Sequence, residues 1–215
     1  MYILELGFSQ KHEKWKTMLT KTEILWRHLL VDALEHDNRR SSITELSARF
    51  ALAPSTVHRA LVVPREMGAL DTVRSGLILR DPMRLLLHWA GTRRLAHDRP
   101  FKVHTGLPVN EIQDRLPDRA VPTGAAAYAR RFRNDVADYS VVYCYHPDPT
   151  AAIASLPDEL GEPDLVILEP DPFLTDYGEI ASIPQTYVDL FVTAGWQAQR
   201  FLHAMSERLE VASAI

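Results

Sequence analysis

Residues 42 to 80 leave the chain few choices of fold. The run SSITELSARF opens with Ser42 and Glu45 at capping-box spacing and carries Ile43, Leu46 and Phe50 on one face, which predicts a short amphipathic helix. ALAP breaks that pattern, and Pro54 followed by Ser55 supplies a turn and a fresh cap for STVHRALVV. In this second helix Val57, Ala60 and Leu61 form the apolar stripe, which leaves Thr56, His58 and Arg59 facing solvent. Pro64 predicts that the helix ends early or bends before Gly68, since a proline inside a helix removes a hydrogen bond and costs about 3 kcal/mol. ALDTVRSGLILRD then gives two β-compatible runs around Arg74, Ser75 and Gly76, the pattern of a hairpin. Two helices across a tight turn, followed by a hairpin, predict a winged helix-turn-helix.

The flanking segments fit that frame. TEILWRHLLVDALEH, over 22–36, spaces Leu25, Leu29 and Ala33 four apart with Trp26 and Leu30 beside them, and Thr22 is the expected N-cap. Asp81 and Pro82 supply an N-cap and first-turn proline for a helix running to about Leu95, and HDRP at 97–100 reads as a linker. Beyond it the pattern predicts helices near Val109–Leu116 and Gly124–Phe132, strands at Tyr139–Tyr145 and Leu165–Leu168, and closing helices at Pro184–Ala194 and Gln197–Glu210. The fold class is α+β: an N-terminal extension and winged helix-turn-helix domain with a linker helix over 1–96, then a mixed α/β domain over 101–215. The role of residues 1–17 is left open.

Charge divides the chain in the same way. The chain is 46% hydrophobic and 24% charged with a formal charge of −4, an ordinary globular balance. Residues 39–100, however, carry eleven arginines and no lysine against five acids, a net +6, whereas residues after 100 carry a net −9. Arginine pairs with phosphate and guanine through its planar fork, so the basic block predicts a nucleic-acid footprint. A reading helix contacts bases from its first turns, which selects Ser55, Thr56, His58 and above all Arg59. Arg74 and Ser75 at the hairpin tip, Arg80 on its return strand, and Arg39, Arg40 and Ser42 ahead of the first helix of the pair are the expected phosphate and groove contacts.

Other chemistry finds little support. MYILELGF lacks a signal peptide's apolar run, no stretch reaches the roughly 18 apolar residues of a membrane span, and Cys144 is the single cysteine, so cytoplasm is expected. Cys144 and His146 share a strand face but read as a buried thiol beside a strand-end histidine, and no metal site is expected. Glu169, Asp171, Asp176 and Glu179 lack the regular alternation of a calcium loop and read as a solvated acidic loop. Neither a P-loop nor a protein-kinase signature is present, and no catalytic or cofactor-binding residue is assigned.

From about Val103 the segments TGLPVNEIQDRLP, VPTGAAAYARRF and IPQTYVDLFVTAGWQAQRFLHAM resemble the C-terminal domain of AbiEi-type antitoxins. The resemblance implies a winged helix that binds operator DNA to repress its own operon, joined to a domain that neutralises a nucleotidyltransferase-like toxin encoded by an adjacent gene. Two alternatives stay open: an atypical serine kinase that silences the toxin by phosphorylation, which would need ATP and Mg2+, and a ligand-responsive winged-helix regulator. Outside the kinase reading no cofactor is expected, and no membrane partner. In the closing motif Tyr187, Leu190, Phe191 and Ala194 recur at helical spacing and are expected in the core, with Asp189 as an internal cap or arginine partner.

Overall fold

The first helix, α1 (Lys21–Glu35), starts ahead of the expected Thr22 because Thr20 caps it. Thr20 Oγ1 accepts from the Glu23 amide while the Glu23 carboxylate accepts from the Thr20 amide, a complete capping box. The computed structural model describes residues 19–94, 100–133 and 136–213, with side chains described as far as Glu210. The helix expected to run to about Leu95 ends at Thr92, where Arg93 turns extended at φ −69° and ψ 141°; most of the 97–100 linker and residues 1–17 lie outside the described residues.

After α1 come β1 (Arg40–Ser41), α2 (Ile43–Phe50), α3 (Pro54–Ala60), α4 (Val62–Glu66), β2 (Leu70–Val73), β3 (Gly76–Leu79) and α5 (Pro82–Thr92). The three strands form an antiparallel sheet in the order β1-β3-β2, with β2 and β3 joined through Arg74 and Ser75. This is the winged helix-turn-helix that the sequence predicts, completed by β1. That strand is only two residues long, too short for a periodic signal.

Pro64 acts as expected in part, but the break comes three residues earlier. Leu61 flattens to φ −95° and ψ 0°, still in the right-handed region, and the chain restarts as α4, which puts Pro64 in the first turn of a new helix, where its missing N–H is least needed. The carbonyl of Ala60, four residues upstream, is taken instead by the indole N–H of Trp26 at 2.8 Å. α5 is capped by Asp81, whose side chain accepts from the Arg84 amide, as the Asp-Pro pair predicts.

The second half is a mixed four-stranded sheet. Its elements are β4 (Phe101–Val103), α6 (Val109–Asp114), β5 (Val121–Thr123), α7 (Gly124–Phe132), β6 (Val142–Tyr145), α8 (Pro149–Ile153), β7 (Leu165–Leu168), a 3-10 turn (Leu174–Tyr177), α9 (Ile183–Val192) and α10 (Trp196–Ser213). The strand order is β4-β7-β6-β5, with β6 and β7 parallel across α8 and the other pairs antiparallel. Along β7, Leu165 and Ile167 enter one apolar cluster and Val166 and Leu168 another, so both faces of the sheet are covered, as an unbroken LVIL run requires. β6 begins at Val142, later than the expected Tyr139. The Tyr139 ring packs edge-on against Phe201 at 5.6 Å, and its hydroxyl accepts from Gln113.

The largest core joins the two halves. Leu25 and Trp26 of α1, Leu85 and Trp89 of α5, Tyr187, Val188 and Leu190 of α9, and Phe201 of α10 belong to one buried cluster. In the closing motif Tyr187 and Leu190 are buried as expected, but Phe191 is 43% exposed and Ala194 is exposed. α9 ends at Val192, so Phe191 falls in its last turn and Ala194 beyond it.

Candidate nucleic-acid interface

The turn between α2 and α3 sets the geometry. Ala51 adopts a left-handed conformation at φ 50°; its N–H reaches Ala48 O, and the Leu52 N–H reaches Ser47 O at 3.0 Å, the double closure of a Schellman motif. A glycine would take this conformation without strain, so a non-glycine residue here trades some stability for a side chain in the turn. At the other end of α2 Ser42 is the N-cap, its Oγ accepting from Glu45 N at 3.1 Å. The second helix of the pair differs from expectation: its N-cap is Ala53, Pro54 sits at its first position, and no side chain caps it. Ser55 is therefore not a cap.

That correction bears on the site, because Ser55 is exposed at the start of α3 with its hydroxyl uncommitted to capping. His58 and Arg59 are exposed, Thr56 is half-buried, and Val57 and Ala60 are buried against α1 and α2. The apolar stripe and the polar face fall as the sequence divides them, except that Thr56, expected to face solvent, is half-buried.

The wing presents Arg74 and Ser75, both exposed, at its turn. Gly76 follows at φ 129°, a conformation side chains rarely adopt, and a Cβ there would stand 2.5 Å from the Ser41 carbonyl. The hairpin thus lies hard against β1, which brings Ser75 to an open polar cleft of about 580 Å³ shared with Arg40, Ser41 and Ser42 at the head of α2. Arg39 is exposed, and its carbonyl receives the Leu79 N–H. Arg40 is exposed, with its amide held by the Asn38 side chain. Arg80 is not gathered with this group. It lies at the base of the hairpin, four strand residues or about 13 Å from the tip, and its Nε donates to Asp71 Oδ2 at 2.8 Å.

Residues that hold this surface in place escaped the sequence reading. Arg27 is 0% exposed on the apolar side of α1 and forms a two-pronged pair with Asp171, at 2.5 and 2.7 Å. Asp171 is 5% exposed, which corrects the expectation of a solvated loop there; Asp176 pairs with Arg49 at 3.7 Å. The available signal was a charged residue set among Leu25, Trp26, Leu29 and Leu30, where an amphipathic helix tolerates none without a partner.

Asp189 is fully internal, at 1% exposure, with the Thr123 and Tyr145 hydroxyls and the Gln185 amide all donating to it. Burial lifts its carboxyl above the usual range, against the pull of Arg93 and these three donors. Cys144 is buried and its thiol is pushed up to about 12 by that burial, while His146 Nδ1 faces the backbone of Asp148. Among the described residues no group of three or more potential metal ligands comes together, and no helix is long and apolar enough to cross a membrane.

A helix-turn-helix with a wing, an exposed arginine at the wing's tip and a free polar face on its second helix defines a DNA-binding module of the kind that transcription regulators carry. Residues 29–73, from the middle of α1 to the end of β2, match the model of the IclR helix-turn-helix domain. Among the curated proteins and the solved structures nothing matches the chain.

Proposed function

We propose that this chain is an autorepressing antitoxin, a winged-helix regulator whose first half holds operator DNA and whose second half silences a toxin encoded beside it. The observation that carries the DNA reading is the exposed polar face of α3, with Ser55 in its first turn and His58 and Arg59 in its last. Ser55, His58 and Arg59 stand exposed there, and among the described residues none of them serves as a cap or joins an ion pair. Arg59 would fork onto guanine O6 and N7 while Ser55, Thr56 and His58 reach neighbouring edges or phosphates. Arg39, Arg40, Ser42, Arg74 and Ser75 would grip the phosphate backbone on either side, with Arg80 adding charge while it braces Asp71.

The test is equilibrium binding to DNA selected from a random pool. Arg59→Ala is expected to weaken binding by about 1–3 kcal/mol and to relax preference at one base position. Equal affinity with unchanged preference would remove α3 from the reading role.

The antitoxin part rests on the resemblance of the segments from Val103 onward. Full-length chain and its Arg59→Ala variant, each co-expressed with the neighbouring reading frame, should both rescue growth, because neutralisation would not depend on operator contact. A neighbour without toxicity, or toxicity without rescue, would leave a ligand-responsive regulator. An ATP-dependent phosphoryl mass increment on the silenced toxin would mean that silencing is catalytic.

A further inference from the structure

The seven residues from Asp171 to Tyr177 close on the helix-turn-helix at several points. Asp171 holds Arg27 of α1 with both carboxylate oxygens, and its Oδ1 also accepts from the Phe173 amide at 3.0 Å. Gln185 of α9 backs the same guanidinium at 3.4 Å, and the Tyr177 ring lies 4.9 Å below it. Phe173 meets Phe50 of α2 edge-on at 4.9 Å, and Asp176 and Tyr177 both face Arg49. A segment of the second half therefore grips both α1 and α2.

The residue before Arg27 on α1 reaches α3 instead. Trp26 donates its indole N–H to Ala60 O, at the very end of α3. Consecutive residues of one rigid helix thus join the C-terminal half on one side to the reading helix on the other. We propose that residues 171–177 are a clasp through which the C-terminal half sets the posture of α3, with Arg27–Asp171 as its latch. A buried ion pair adds little stability over an apolar pair of the same shape, but losing one partner leaves a buried charge that the structure cannot tolerate in place. Any event on the C-terminal half that draws Asp171 away must therefore move α1, and α1 carries Trp26 and α3 with it. The consequence for DNA affinity rests on the reading of α3 proposed above; the mechanical coupling does not.

The experiment is amide hydrogen exchange across residues 54–66 in the full chain, comparing Asp171→Asn with Ile112→Ala. Ile112 is buried in the cluster on one face of the C-terminal sheet, apart from the clasp. The two variants are compared at denaturant concentrations that equalise global stability. Asp171→Asn is expected to speed exchange in α3 by roughly fivefold or more over Ile112→Ala, the lower end of ordinary coupling between sites. Phe173→Ala, which leaves the ion pair intact and removes the ring from Phe50, is expected to act in the same direction and serves if Asp171→Asn does not fold. Equal exchange in α3 across the clasp variants and Ile112→Ala would overturn the clasp. Failure of the unaltered chain to bind DNA would overturn the reading of α3 and leave the exchange result to decide the coupling.

Discussion

Pro64 has no N–H to give Ala60, and the indole of Trp26 supplies one from another helix. Trp26→Phe keeps the ring in the core but leaves a buried carbonyl unpaired, and is expected to cost about 1–3 kcal/mol in denaturant unfolding. Pro64→Ala restores a local donor, so in that background the cost of Trp26→Phe should fall by about 1 kcal/mol. Strict additivity would show that the indole is not compensating for the proline. Asp189 gives the second prediction at this scale. Its folded carboxyl sits above the usual range because it is buried, so the folded state binds its proton more tightly than the unfolded state does. Its contribution is fully present below the ordinary carboxylate range and is lost as pH rises through the folded value. Stability measured by denaturation from mildly acid to neutral pH should decline with a slope that Asp189→Asn flattens; a slope unchanged by Asp189→Asn would place the titration elsewhere. Neither partnership was readable beforehand, since Trp26 and Ala60 stand 34 positions apart and the Thr123 hydroxyl reaches Asp189 across 66. What the sequence did expose was the anomaly, a carboxylate on an apolar face and a proline that predicts a broken helix.

Among the elements, those whose signal is local were legible. The paired helices, the hairpin and the capped fifth helix each announce themselves within ten or so residues, through Ser42 with Glu45, through Asp81 with Pro82, and through the two β-compatible runs around Arg74, Ser75 and Gly76. The short pieces were not: β1, β4 and β5 are two or three residues long and exist only because a longer strand lies beside them. The same reasoning explains the cap at Ala53, where a proline at the first helical position starts the helix without a side-chain acceptor. The wing is the element where backbone freedom decides the outcome. Gly76→Ala sets a Cβ against the Ser41 carbonyl at a φ that alanine resists, a strain of order 1–3 kcal/mol. The expected result is faster hydrogen exchange in β1 and β3 and weaker DNA binding, with α3 exchange little changed. DNA affinity that survived while the wing opened would show that Arg74 and Ser75 add little to the grip.

For the whole molecule the decisive feature is that α9 fills the space between α1, α5, α7 and α10, so the DNA-reading half does not own a closed core. Cutting the chain near residue 96 strips Tyr187, Val188 and Leu190 from that cluster and leaves Arg27 without Asp171. Burial of each such apolar side chain is worth about 1.5–3 kcal/mol, and three of them together are comparable with the roughly 5–15 kcal/mol that holds an ordinary domain folded. The stranded guanidinium adds to the loss in the same direction, since a buried charge without its partner is costly. Residues 1–96 expressed alone are therefore expected to melt without a cooperative transition and to bind an apolar fluorescent dye, even though the helix-turn-helix signature lies wholly inside them. Measured beside the full chain, a sharp melt for this fragment with DNA affinity within twofold would mean that α9 is an ornament to the winged helix. Loss of the transition together with loss of DNA binding would mean that the winged helix needs the C-terminal half in order to fold.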